Sequence, residues 1–258
     1  MCLAGGPGED VRSLGNLEGM DRHRTLILMD ARASGASEVP ADRASCSYTE
    51  QSRDLDALRR HLGLEHIDVL AHSAGALTAQ HYAASDPNRV SKLVLVTPAG
   101  RIRREVNAEE VAALRTRRVK EPWYRSAAEA TMLLASGASG EELELRLAPF
   151  RYGEWTPAAR EHYYTDYVSP PEWLFEAFYR GVPSPGKEAE RLMRLRTVSA
   201  QVLVLAGAED CIAGTEAPRT TAAAYDSAQL EVLPGAGHYL WLDDPERFES
   251  LVAEFLTG

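Results

Sequence analysis

The chain has 258 residues, 45% of them hydrophobic, enough for one large domain or for a domain carrying an inserted subdomain. A net charge of −10 and a pI near 5.3 argue against a nucleic-acid partner, which needs a basic face. No apolar run reaches the length needed to cross a bilayer, so no membrane partner is expected.

The first residues lack the basic-then-apolar pattern of a secretory leader, and Cys2, Cys46 and Cys211 are odd in number and far apart. That usage fits reduced thiols and a cytoplasmic protein better than a disulfide framework, and no His or Cys pair has zinc-like spacing. No metal or cofactor is expected, and oligomeric state is not legible.

In chain order, Leu3-Ala4-Gly5-Gly6-Pro7-Gly8 reads as a strand end running into a glycine-rich turn. Such a turn can aim a backbone N–H into a site, although terminal glycines are more often ordinary loop. Asp10 to Met20 is weakly helical. Leu26-Ile27-Leu28-Met29-Asp30 reads as a buried strand, followed by the small-residue loop Ala31 to Ser37. Tyr48 to Leu62 carries Leu55, Leu58 and Leu62 at three- and four-residue steps, an amphipathic helix with Thr49 as its cap.

Ile67 to Leu70 is another buried strand, then comes Ala71-His72-Ser73-Ala74-Gly75 and a helix through Ala84. Strand, tight turn and helix with a serine at the apex form a nucleophile-elbow pattern, which needs small residues two before and two after the serine. Ala71 stands where glycine is usual. By itself the pattern is weak, because most serines opening a helix merely cap it.

Lys92 to Thr97 is a further strand, so this half reads β-α-β-α-β-α-β, a parallel sheet with right-handed crossovers. Residues 101–196 show no strand, only charged, aromatic-rich helical segments broken by prolines and glycines. They read as a helical cap inserted into a core made of residues 1–100 and 197–258, with most of their aromatics forming a core of their own. Strand rhythm resumes at Gln201 to Gly207. A helix at Ala217 to Tyr225, a strand at Leu230 to Leu233, the loop Pro234 to His238 and a helix from Asp244 to Leu256 follow.

Ser73, Asp210 and His238 each fall at the carboxyl end of a strand, where chemistry collects in open parallel sheets. Serine needs a base, an imidazole is near its own pKa at neutral pH, and the imidazole needs a carboxylate to hold its tautomer. Asp210 alone reads as a helix cap and His238 alone as a loop histidine. Together they stand in the chain order nucleophile, acid, histidine.

On these residues the chain resembles the α/β-hydrolase superfamily, in its proline iminopeptidase-like branch. The resemblance is carried by Ala4-Gly5-Gly6-Pro7-Gly8 (histidine is usual at the first position), by Asp30-Ala31-Arg32-Ala33-Ser34-Gly35, and by Ala71-His72-Ser73-Ala74-Gly75. Gly207-Ala208-Glu209-Asp210 and Gly235-Ala236-Gly237-His238 complete it. It implies an α/β fold, a mostly parallel sheet flanked by helices with a helical cap. It also implies a Ser73-His238-Asp210 triad and an oxyanion hole from the N–H groups of Gly6 and Ala74.

The family carries two edge strands and most of the central strand ahead of the glycine turn, so a sheet with its N-terminal strands missing is expected here. A central strand limited to Met1–Ala4 leaves neighbouring backbone groups unpaired, at up to ~1–3 kcal/mol each if buried.

The implied activity is an acyl-enzyme hydrolase releasing N-terminal residues from short peptides. A carboxylic ester, lactone or thioester hydrolase of a small molecule is the alternative, and a truncated, non-catalytic binding protein is a reading of another class. Dehalogenation wants an aspartate at position 73. An aminopeptidase needs an anionic group for the substrate amine, with Glu154, Glu161, Asp166, Glu172 and Glu176 available in the insertion. Glu154, Trp155 and Trp173 are the expected substrate contacts.

Overall fold

The computed structural model describes residues 1–165 and 170–258. Its sheet is parallel throughout and runs β2-β1-β3-β4-β5-β6. The strands are β1 (Cys2–Leu3), β2 (Leu28–Met29), β3 (Ile67–His72), β4 (Val90–Val96), β5 (Gln201–Gly207) and β6 (Ala228–Leu233).

The three central long strands, β3, β4 and β5, end in apolar runs because both faces are covered there, whereas β6 at the sheet edge alternates in Gln229 and Glu231. Leu93 and Leu95 point to one face, where α1 (Tyr48–His61) and α2 (Gly75–Ser85) pack through Leu55, Ala76, Ala79 and Tyr82. Val94 and Val96 point to the other, against Leu240 and Trp241 of α10 (Leu240–Asp243) and Phe248 and Val252 of α11 (Pro245–Thr257). Between β5 and β6, α9 (Glu216–Ala222) contributes Ala222 to the first face.

Between β4 and β5 the described residues form helices and no strand. These are α3 (Ala108–Arg117), α4 (Tyr124–Ala135), α5 (Glu141–Leu147), α6 (Pro157–Thr165), α7 (Glu172–Tyr179) and α8 (Pro185–Arg196). Their aromatics do not form one separate core. Trp123 and Phe150 cluster locally with Leu114 and Cys211, but Tyr152, Ala159 and Tyr163 join the α10–α11 face of the sheet. Leu195 of α8 joins the opposite face.

Three expectations need correction. Leu26 to Asp30 is not a five-residue buried strand: only Leu28 and Met29 pair, and Leu28 is exposed, because β1 offers two partners and the other side is the sheet edge. Residues 10–20 form 3-10 turns at Val11–Leu14 and Met20–Arg22, with Leu17 and Glu18 between them at positive φ, rather than a helix. Ser47, not Thr49, caps α1, accepting from the Glu50 N–H. The final helix starts where the sequence places it, with the Asp244 side chain capping α11.

Beside β1 a cavity of about 410 Å³ lies between Ile27 and Ile67–Val69. The three cysteines are unpaired and buried, and no described helix is long and apolar enough to cross a membrane.

Candidate active site

Because all strands run the same way, the residues following β3, β5 and β6 emerge at one edge of the sheet. Ser73 leaves β3 with φ 48, a left-handed conformation that a serine adopts only under constraint. The constraint is the close passage of α2 beneath the glycine-rich turn. A Cβ on Gly75 would collide with the Ala4 carbonyl and press on Leu3, so glycine is required there. Ala71, where glycine is usual, is fully buried in β3 and its methyl is absorbed by the sheet core.

Asp210 follows β5 and is wholly buried. Its Oδ1 accepts from the Ile212 and Ala213 N–H groups at 2.8 and 3.0 Å. Its Oδ2 accepts from His238 Nδ1 at 2.8 Å. These main-chain donors turn the carboxylate toward the imidazole.

The main chain of His238 is held from both sides. Its N–H donates to Arg151 O at 2.7 Å, and its carbonyl accepts from Thr97 Oγ1 and His72 Nε2, each at 3.0 Å. Since a carbonyl only accepts, His72 carries its proton on Nε2. Complete burial, followed by the neighbouring His238, pushes the His72 pKa well below the usual histidine range, so it serves as a neutral strut.

Asp243 secures the same loop. Its Oδ2 accepts from Gly237 N at 2.7 Å and Gly153 N at 3.0 Å. Burial raises its pKa to about 6 against the pull of those N–H groups. The approach is so close that a Cβ on Gly237 would run into the Gly153 N–H.

Ser73, His238, Gly6 and Pro7 line one cavity of about 420 Å³. Ser73 Oγ has no hydrogen-bond partner among the described residues, and neither the Gly6 nor the Ala74 N–H donates within them. The arrangement has the parts for acyl transfer: a hydroxyl and an imidazole facing one space, a carboxylate behind the imidazole, and free N–H donors at the rim.

The expected substrate contacts are not brought to this cavity. Glu154 and Trp155 line a separate cleft with Trp123 and Arg160. The chain turns outward after Gly153, which is tied down to Asp243, and Trp155 packs on Tyr152 and Tyr163. Trp173 lies on another face of α7, near Cys46 and Ala177, with the Arg43 guanidinium 4.3 Å from its ring centre. The α7 residues on the cavity wall are Glu172 and Phe175, three apart and so on one helix face. Glu161 and Glu176 are exposed and off the wall, and Asp166 lies outside the described residues.

Sequence reading missed Glu9, Arg104, Arg115 and Arg151, all on the wall. Glu9 was within reach, one residue past the glycine turn. The arginines carried no local pattern.

A match to the alpha/beta hydrolase fold family runs over residues 1–245. The chain belongs to the α/β-hydrolase family. This hydrolase is 30% identical over 98 residues to a proline iminopeptidase of Heyndrickxia coagulans, covering 38% of this chain and 34% of that protein. It is 26% identical to the 1-acylglycerol-3-phosphate O-acyltransferase ABHD5 of Rattus norvegicus, over 93% of this chain and 71% of that one.

Among solved structures, the proline iminopeptidase of Mycobacterium smegmatis superposes with a TM-score of 0.73 at 22% identity, over 99% of this chain and 88% of that one. A thermophilic esterase from Thermogutta terrifontis gives a TM-score of 0.65 at 23% identity over the same shares. At these identities the structural likeness shows the fold.

Proposed function

We propose that this α/β hydrolase is a serine hydrolase cleaving small carboxylic esters or amides through an acyl-enzyme at Ser73. The observation that carries the reading is the 2.8 Å contact of His238 Nδ1 with buried Asp210, beside a cavity that both His238 and Ser73 line. Ser73 Oγ attacks the carbonyl carbon while His238 Nε2 takes the hydroxyl proton. The bond to the leaving group breaks as that proton passes to the departing alcohol or amine. Water then attacks the acyl-enzyme, giving its proton to His238, which returns it to Ser73 Oγ as the acid leaves.

In this scheme Asp210 holds the proton on Nδ1 and stabilises the imidazolium as it forms. The Gly6 and Ala74 N–H groups receive the oxyanion, a contribution of about a hundred- to a thousandfold in rate for one donor. The buried, unpaired cysteines fit action in a reducing compartment such as the cytoplasm.

A second reading is release of N-terminal residues from short peptides. It is favoured by the proline iminopeptidase relative and by Glu9, Glu144 and Glu172 on the cavity wall, any of which offers a carboxylate to a substrate amine.

A fluorophosphonate probe tests the shared mechanism: it should label the protein at Ser73, and Ser73→Ala should abolish labelling and turnover while leaving the melting transition intact. Activity surviving in Ser73→Ala refutes the acyl-enzyme. A folded wild-type protein that neither labels nor turns over favours a non-catalytic binding protein. Proline anilides compared with short-chain nitrophenyl esters separate the two substrate readings, since a peptidase cleaves the anilide only when its amine is free.

A further inference from the structure

Three arginines line the cavity that holds Ser73 and His238, from three segments of the region between β4 and β5. Arg104 comes from the loop ahead of α3, Arg115 from α3, and Arg151 from the turn ahead of Tyr152.

The first two are anchored on the loop that carries Asp210. Arg104 Nη2 donates to Ile212 O at 3.2 Å and Arg115 Nη2 to Cys211 O at 3.4 Å, so adjacent carbonyls fix both beside the Asp210–His238 pair. The backbone of Arg151 accepts from the His238 N–H, which places the third arginine on the same histidine.

Neither Arg104 nor Arg115 has a carboxylate within ion-pairing distance among the described residues. Arg115 Nε is buried without a hydrogen-bond partner among the described residues. Burial lowers the Arg115 pKa, and Arg104 and Arg151 lower it further by repulsion. Arg104 and Arg115, with no carboxylate partner among the described residues, repel each other on this wall, and a bound anion relieves that repulsion. A guanidinium presents a planar fork that matches a carboxylate with two parallel hydrogen bonds. Glu9, Glu144 and Glu172 share the cavity wall, and none of them is ion-paired to Arg104 or Arg115.

We propose that Arg104 and Arg115 form an anion subsite beside Arg151, and that this hydrolase acts on small acyl substrates bearing a free carboxylate a few bonds from the scissile carbonyl. The proposal rests on the serine-hydrolase reading for its chemistry but not for its binding. A half-ester of a short dicarboxylic acid has this form: its ester carbonyl meets Ser73 while its carboxylate lies on the arginines. Hydrolysis consumes one water and yields the dicarboxylic acid and the alcohol. The reaction supplying such a substrate must therefore esterify or ring-open a dicarboxylic acid derivative.

The test compares nitrophenyl hydrogen glutarate, which is anionic, with nitrophenyl valerate, its neutral counterpart. Wild-type protein should show at least a tenfold higher kcat/KM on the anionic ester, and Arg115→Gln should lower the anionic-to-neutral ratio by tenfold or more. Equal or better use of the neutral ester, or a ratio unmoved by the substitution, overturns the proposal. Should Arg115→Gln fail to fold, Arg104→Gln, at an exposed loop position, carries the same comparison.

Binding of monomethyl glutarate to the Ser73→Ala protein, read by calorimetry, separates the subsite from the catalysis. Saturable binding that is lost in Ser73→Ala/Arg104→Gln supports the subsite even if neither ester is turned over. Absence of binding to a folded Ser73→Ala protein overturns it, whatever the fate of the catalytic reading.

Discussion

Ser73, at φ 48, holds a conformation that costs a non-glycine residue on the order of 1–3 kcal/mol, and the surrounding sheet and helix sustain it. The same scale holds the sharpest test of the proposed chemistry, Asp210→Asn. An asparagine keeps an oxygen for the Ile212 and Ala213 N–H groups, but turns an NH₂ toward His238 Nδ1. The imidazole then places its proton on Nε2, where it faces Ser73 and is no longer a base. The expected result is a loss of kcat on the order of a thousandfold or more with an unchanged melting temperature. A loss below tenfold removes Asp210 from the mechanism.

At the scale of elements, the site is built from junctions between the ends of strands and the loops beyond them. The strand-to-helix turn after β3 leaves no room for a side chain at position 75. Gly75→Ala must therefore push the Ala4–Gly6 turn away from Ser73, lowering kcat more than it raises KM. An unaltered kcat would show that the glycine turn takes no part in the reaction.

The loop after β6 makes a different prediction. Burial raises the Asp243 pKa from 3.8 to about 6, so the folded chain binds a proton there that the unfolded chain has lost. Its ionisation therefore costs stability as pH rises through about 4 to 6, by up to about 3 kcal/mol. Asp243→Asn keeps an oxygen for the Gly153 and Gly237 N–H groups and has nothing to ionise. Relative to wild type, the variant should gain stability across that window and hold the gain above it. Parallel unfolding curves at pH 4 and pH 7 with a constant offset would contradict the assignment.

Over the whole molecule, the region between β4 and β5 shares its core with the sheet. Tyr152, Ala159 and Tyr163 pack with Leu203, Leu205 and Leu233, while Leu195 packs with Val202 and Val204 on the other face. Apolar burial shared across two regions couples their stability, so the chain should unfold in one transition. In a Trp241→Phe protein, fluorescence from Trp123, Trp155 and Trp173, all in the inserted region, should track the far-UV circular dichroism of the sheet and helices. Two separate midpoints would mean that the insertion folds on its own.

The parallel sheet, the elbow and the order of Ser73, Asp210 and His238 were legible because each is written in a few adjacent residues. Apolar runs record a strand buried on both faces, and small residues around a serine record a crowded turn. Sequence spacing also placed the three residues at strand ends, and parallel strands bring such ends to one edge. The cavity wall was not legible. Which face of α7 turns inward, where residue 154 goes after its neighbour is tied to Asp243, and how Arg104, Arg115 and Arg151 come to line one cavity are all settled by contacts between distant segments. Local spacing records what a residue does to its own turn of chain, whereas a pocket is made of side chains that meet only after the layers have packed.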